Sequence, residues 1–226
     1  MIFRTTLTNS RFLFDGGVVY IVADDKQQEF VNEQEFPIHR NLIRSKSDLF
    51  YDHFDDNNHT VVFRVQDSSP AVCKRLQYWM YCGKIFHNDE GCTEEDVTVL
   101  MKLWLLADRL KLPALQNDTM YVLHALMEKC EARNAAECFD LCEVFHEIGK
   151  DCELRWFVVD WFIWSIEPLA SKAASAAVVE DHEVLKALYK ASRHKANVDE
   201  DVNCECSSDP TLDVRNYLVD GWLGIS

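Results

Sequence analysis

The first third of the chain alternates short apolar runs with turn-forming residues, a pattern typical of short strands. Strands are predicted over 18–22, 34–38 and 60–65. Gly16 and Gly17 precede the first of these runs, and Asp24 follows it as a turn-forming residue. Between the second and third runs, residues 41–54 carry apolar side chains at spacings that predict two short helices.

From Ser69 onward the apolar positions recur with helical spacing. Ser69 and Pro70 are typical of a helix start, because proline lacks the N–H that a first helical turn leaves unbonded. Gly83 ends this helix, and Pro113 separates the next two. Further helices are predicted over about 134–148, 152–167 and 180–193. Strands followed by helices predict an α+β fold.

The last part of the chain, residues 196–226, has a different composition. It contains seven acidic residues and one arginine, which is typical of a loop or a mobile segment. The alternative is a final short helix that docks through Tyr217, Leu218, Trp222 and Leu223, and the sequence leaves both open.

The net charge of the chain limits the kinds of partner that it is expected to bind. The chain carries 23 Lys+Arg against 38 Asp+Glu, a formal net charge of −15. Nucleic-acid binding begins with a cationic footprint, and an anionic membrane surface repels an acidic protein. We therefore expect no direct contact with nucleic acid or membrane.

The cysteines and the apolar runs bear on location. Nine cysteines is an odd number, and several fall inside apolar helical patterns, where a thiol packs as a small hydrophobe. No signal peptide is evident, and the longest apolar stretch, 156–164, is interrupted by Asp160 and is too short to span a bilayer. We expect free thiols in a reducing compartment, the cytoplasm or the nucleus.

Five segments, taken together, resemble a known family. They are 35–50, 61–70, 76–85 with its Tyr81-Cys82-Gly83 turn, 105–117 and 154–160. The order and spacing of the first four are similar to those of BTB/POZ domains, with 105–117 in the form common among fungal members. The fifth segment resembles one that is often found after the BTB core in such fungal proteins. The resemblance implies a strand-plus-helix-cluster domain that binds proteins, with a structural signature at four positions. These positions are His39, Gly83, Asp108 and Pro113.

The resemblance also predicts how the chain is organised. The predicted parts are an N-terminal segment 1–14, a BTB/POZ-like domain 15–130, a helical extension 131–195 and an acidic tail 196–226. A non-enzymatic interaction module of this kind needs no cofactor, metal or small-molecule substrate.

Two roles follow from the family and stay open at this point. Many members recruit a cullin scaffold of a ubiquitin ligase as substrate adaptors, and the matching partner-binding positions are Leu49, Phe50, Phe54 and Asp56. Asp56 stands where such members carry glutamate. The alternative is a homo-oligomeric scaffold or transcription cofactor without a ligase. For self-association, the resemblance implies a charge pair between Asp15 and Arg40.

The sequence gives weaker support for a catalytic site or a metal site. His39 is interpreted as a buried structural histidine bonded to backbone, because no nucleophile is implied nearby. Cys138, Cys142 and His146 form one stripe of a helix but need a fourth ligand for zinc, so packing is favoured. Cys204 and Cys206 with His194 have unusual spacing for a metal site.

Two features of the second half have both a structural and a functional interpretation. The aromatic cluster Trp156, Phe157, Trp161, Phe162 and Trp164 is predicted to be core, and an exposed face of it is a candidate for partner docking. The basic residues Lys186, Lys190, Arg193, His194 and Lys195 are interpreted as a solvated helix end, with nuclear import as the alternative.

Overall fold

The computed structural model describes residues 14, 16–24, 34–54, 61–66, 68–85, 95–130, 148, 152–165, 182–200 and 213–219. The chain divides into two compact units, each described here by itself. The first consists of Met1–Glu90 and Leu106–Leu115, and the second of Gly91–Leu105 and Gln116–Ser226.

A three-stranded mixed sheet forms the centre of the first unit. Its strands are β1 (Val18–Asp24), β2 (Glu35–His39) and β3 (Val62–Gln66), in the order β2-β1-β3. β1 pairs antiparallel with β2, where Tyr20 faces Pro37, and parallel with β3, where Ile21 faces Phe63. The β-branched and aromatic residues of these runs suit a pleated, half-buried surface.

The strand β2 lies at the edge of the sheet, and this position explains why it can contain Pro37. The Pro37 carbonyl accepts a hydrogen bond from Gln77 Nε2 at 2.8 Å. Since the N and O of one residue point to the same side of an antiparallel strand, the proline nitrogen also faces outward. A missing donor therefore costs no ladder hydrogen bond here, as is usual for proline on an edge strand.

Helices cover this sheet. The first unit contains α1 (Arg40–Arg44), α2 (Asp48–His53) and α3 (Pro70–Cys82), and α3 packs on β1 and β2. Buried apolar side chains from the sheet and helices form the core. They include Ile21, Ile38, Ile43, Phe50, Phe54, Leu76 and Met80. This is the α+β arrangement that the sequence predicts.

Helix α4 (Glu95–Arg109) and helix α5 (Pro113–Cys130) follow, and both contribute residues to the two units. The second unit also contains α6 (Glu153–Ser165), α7 (His182–Glu200) and a 3-10 turn (Val214–Tyr217). α7 packs on α6, and the 3-10 turn also packs on α6.

The boundaries of the late elements differ in part from the sequence prediction. α7 runs to Glu200, so the first residues of the predicted acidic tail are helical. The predicted helix over 134–148 lies outside the described residues, apart from the buried Ile148. None of the helices in the described ranges is long and apolar enough to cross a membrane.

Candidate functional site

An aromatic cluster lies beneath α2. Phe50 and Phe54 have no exposed surface, and their rings stack at 6.1 Å between centroids. Phe63 of β3 lies 5.3 Å from Phe50 in an edge-to-face arrangement, and His53 lies 4.8 Å from Phe54. Such offset and edge-to-face geometries are the favoured ones for aromatic pairs. The cluster thus fixes α2 onto the sheet.

This burial corrects the predicted partner contact of Phe50 and Phe54. A side chain with no exposed surface contributes no contact area to a partner, so these two phenylalanines act by supporting α2. Of the other predicted contact residues, Leu49 is half-buried, whereas Asp56 lies outside the described residues. The outer face of α2 instead presents Asp48, Tyr51 and Asp52 to solvent.

Ser47 holds the start of α2. Its Oγ accepts a hydrogen bond from the Leu49 N–H at 3.1 Å, which is the arrangement of an N-cap. The same hydroxyl donates to the Leu110 carbonyl at 2.7 Å. A single buried hydroxyl therefore connects α2 to the loop that follows α4, and both lie in the first unit.

A second surface surrounds His39 at the junction of β2 and α1. The ring of Phe14 lies 5.1 Å from the imidazole and the ring of Tyr81 lies 5.8 Å from it, both edge-to-face. Val18 pairs with His39 across the sheet. We name these four residues (Phe14, Val18, His39 and Tyr81) the His39 surface. Its apolar members are exposed: Phe14 by 51%, Val18 by 39% and Tyr81 by 41%.

The hydrogen-bond partner of this histidine differs from the predicted one. The Tyr81 hydroxyl accepts the His39 backbone N–H at 3.1 Å and lies 2.8 Å from its Nδ1. Which of the two groups donates in the second contact depends on the tautomer of the imidazole. His39 is thus half-buried and bonded to a side chain, rather than buried and bonded to backbone.

Of the predicted charge pair, only Arg40 lies within the part of the chain that the structure describes. This residue is half-buried at the start of α1, and its backbone N–H donates to the Gly17 carbonyl at 3.0 Å. Gly16 and Gly17 have φ of +90° and +80°, which L side chains rarely adopt. These glycines bring the chain into β1 beside Arg40. Asp15 lies outside the described residues, so the pair stays a prediction.

The remaining signature residues form helix ends. Gly83 ends α3 with φ +63°, and its N–H donates to the Trp79 carbonyl at 2.8 Å. Pro113 begins α5, and Asp108 lies exposed in the last turn of α4. The Asp108 carboxylate is 3.8 Å from Lys111 Nζ, an exposed pair of little energetic weight. These positions shape the fold rather than a reactive site.

Catalytic and metal chemistry find little support in the described residues. Burial raises the pKa of the Cys73 thiol from 9.0 to about 12, against a smaller lowering by Arg109, so this cysteine is not an activated nucleophile. Within those residues, no group of three or more His, Cys, Asp or Glu could hold a metal ion. Cys138, Cys142, His146, Cys204 and Cys206 lie outside the described residues.

In the second unit, some residues of the predicted aromatic cluster are buried and one is exposed. Phe157 and Trp161 are buried, as predicted, but Trp156 is 51% exposed. Asp160 accepts a hydrogen bond from the Tyr217 hydroxyl at 3.0 Å, so the 3-10 turn docks on α6. The side chains of Phe162 and Trp164 are not among those described.

The first unit thus combines a small mixed sheet and covering helices with exposed apolar side chains around His39. The family model of the BTB/POZ domain matches residues 19–132, just over half of the chain. The chain belongs to the BTB/POZ family, and the predicted fold class is confirmed. It is a protein–protein interaction module. A search of curated proteins finds no match.

The sequence does not single out three of the four residues of the His39 surface, and it indicates Val18 only as the start of a strand. Phe14 falls in the segment that was separated from the predicted domain, and Tyr81 was noted only as part of a turn motif. The Tyr-x-Gly motif places Tyr81 in the last turn of α3. Its role depends on which strand end α3 packs against, which is information from the tertiary structure.

Proposed function

We propose that the protein self-associates through the His39 surface and acts as a homo-oligomeric scaffold or transcription cofactor. The observation that carries this proposal is the contiguous exposure of Phe14, Val18 and Tyr81 around His39. Aromatic residues are enriched in interface cores, and their contacts supply most of the binding energy there.

Charge supports this surface as the place of association. Two copies of a chain with a net charge of −15 repel each other over most of their surface. None of the four residues of the His39 surface carries a carboxylate, and their two charged neighbours in sequence, Asp15 and Arg40, have opposite signs. Association through this surface therefore brings few like charges together.

The test is the mass of the full chain by sedimentation equilibrium at several concentrations. The proposal predicts a species of twice the 26.2 kDa chain mass that Phe14→Glu and Val18→Glu dissociate, because each places a charge in the apolar interface. Tyr51→Glu is the control, since Tyr51 is 53% exposed and lies on α2. A monomer at high concentration, or equal dissociation by Tyr51→Glu, would contradict the proposal.

A second candidate function is substrate adaptor of a cullin-type ubiquitin ligase, and the outer face of α2 favours it. The half-buried Leu49 and the exposed Tyr51 lie on this helix, and the Arg44 guanidinium lies 4.5 Å from the centre of the Tyr51 ring. Held in this way, Tyr51 loses less rotamer entropy on binding than a free side chain would.

Calorimetric titration with a cullin N-terminal region tests the adaptor role. A 1:1 complex that Tyr51→Ala weakens at least tenfold, and that Val18→Glu leaves unchanged, would support it. Absence of binding would rule it out for this chain. Phe54→Ala is a poor test, because the buried ring supports α2 and its loss destabilises the whole unit.

A further inference from the structure

A cleft in the second unit is lined by residues that belong neither to the His39 surface nor to α2. It lies between α6 and α7 and has a volume of about 490 Å³. Its apolar lining consists of Trp156 and Val159 from α6 and of Ala187 and Ala191 from α7. Trp156 is 51% exposed although it belongs to the most apolar helix of the described chain. A half-exposed tryptophan in a concave site is a typical binding hot spot.

The charged lining of the cleft is more basic than the protein as a whole. Arg155, Lys186 and Lys190 contribute cations, whereas Asp160 and Glu183 contribute carboxylates. The Asp160 carboxylate already accepts the Tyr217 hydroxyl, and the Arg155 guanidinium donates to the Ile148 carbonyl at 3.4 Å. Neither Lys186 nor Lys190 forms an ion pair with a described residue, and both are exposed.

We propose that this cleft docks an acidic amphipathic helix of a partner protein. Lys186 and Lys190 lie one turn apart on α7, about 6 Å along its axis, and as like charges at this spacing they repel each other. Two carboxylates at positions i and i+4 of a partner helix have the same separation. They relieve this repulsion, while an apolar side chain at i+3 reaches Trp156 on the opposite wall.

The dimensions of the cleft agree with a short helix. The lining residues extend over 155–160 on α6 and 183–191 on α7, so the cleft is about 12 Å long, or two helical turns. The alanines on the α7 side allow a third helix to approach at the usual interaxial distance of about 8–10 Å. This is the helix-in-groove mode of peptide recognition.

A labelled synthetic helical peptide of roughly 16 residues, with glutamate at i and i+4 and leucine at i+3, is the probe. Fluorescence anisotropy with the full chain should give a Kd on the order of 10–100 μM, as expected for a small interface. The proposal predicts that Lys190→Glu weakens binding at least fivefold. Lys74→Glu is the charge-matched control, because Lys74 is an exposed lysine of α3 in the first unit.

Trp156→Ala provides an independent test of the apolar contact. It should weaken binding by a similar factor, whereas Tyr189→Ala should not, because Tyr189 is 63% exposed on α7 but does not line the cleft. Since all four side chains are exposed, none of these variants removes a core residue. Circular dichroism of each variant verifies that the helices persist.

Three results would overturn the proposal. They are no binding at about 1 mM protein, equal binding of a peptide with glutamine in place of glutamate, and equal weakening by Lys74→Glu. Self-association through the His39 surface is measured without any peptide, so failure of one proposal does not affect the other.

Discussion

At the residue scale, Ser47 shows how one buried hydroxyl joins distant parts of the chain. Its exposed fraction is 6%, and its two hydrogen bonds reach Leu49 and Leu110. The sequence indicates a helix start near Ser47, because serine is a common N-cap. The bond to Leu110 has no local signal, since its partner is 63 residues away.

Ser47→Ala should therefore lower the free energy of unfolding by about 1–3 kcal/mol, because it removes a cap and leaves the buried Leu110 carbonyl unsatisfied. Urea denaturation measures this change. Ser45→Ala is the matched control: Ser45 is exposed and donates only to the nearby Leu42 carbonyl, so its loss should change stability by less than about 0.5 kcal/mol. Equal effects of the two substitutions would refute the proposed role of Ser47.

The two thiols of α3 should react very differently. Cys82 is exposed, whereas Cys73 is 1% exposed and burial raises its pKa to about 12. Alkylation at pH 8, followed by peptide mass mapping, should modify Cys82 and leave Cys73 unmodified until the protein unfolds. Rapid labelling of Cys73 in the folded protein would contradict its placement.

The raised pKa of Cys73 also predicts a pH dependence of stability. The folded state holds this proton more tightly than the unfolded state, whose thiol has its usual pKa of 9.0. The stabilisation is therefore complete below pH 9 and is lost as the pH rises toward 12. Cys73→Ala should weaken this alkaline loss of stability, measured by urea denaturation across that range; an unchanged alkaline profile would exclude the thiol as its cause.

At the element scale, helix ends were predicted better than strand faces. Gly83 and Pro113 end and begin helices at the positions that the sequence indicates, because their backbone restrictions act locally. No comparable local signal marks the faces of β3, where Arg64 and Gln66 are exposed and Val65 is buried. Coverage of an edge strand depends on packing partners that the strand itself does not encode.

The end of α4 carries a strained residue that the sequence does not reveal. Lys111 has φ +55°, and the N–H groups of Lys111 and Leu112 donate to Asp108 and Ala107 at 3.0 and 2.9 Å. This is the Schellman pattern, in which the left-handed position is usually glycine. Here a lysine occupies it, at a cost of about 1–2 kcal/mol.

Lys111→Gly should accordingly raise the free energy of unfolding by up to about 1 kcal/mol, since relief of strain exceeds the added flexibility of the unfolded chain. Gly83→Ala is the converse variant. Its added Cβ meets no atom within 4 Å, so only the backbone penalty of about 1 kcal/mol applies. Thermal denaturation of both variants measures this difference; a destabilised Lys111→Gly would refute the strain.

At the scale of the whole molecule, the sequence predicts both the family and the α+β fold class. Four separate motifs indicate the family, and the order of strands followed by helices indicates the fold class. The proposed interaction surfaces could not be predicted from the sequence. Phe50 and Phe54 are apolar in a family motif, and whether such residues point outward or inward depends on the packing of α2 against Phe63. The predicted domain boundaries and the cytoplasmic or nuclear location stay predictions.

Hydroxyl-radical footprinting of the full chain at low and high concentration tests the central claim most directly. It reports the solvent exposure of individual aromatic side chains. We predict that Phe14 and Tyr81 become protected as the concentration rises, whereas Tyr51 and Tyr189, exposed by 53% and 63%, stay equally reactive. Unchanged reactivity of Phe14 and Tyr81, or equal protection of all four, would contradict self-association through the His39 surface.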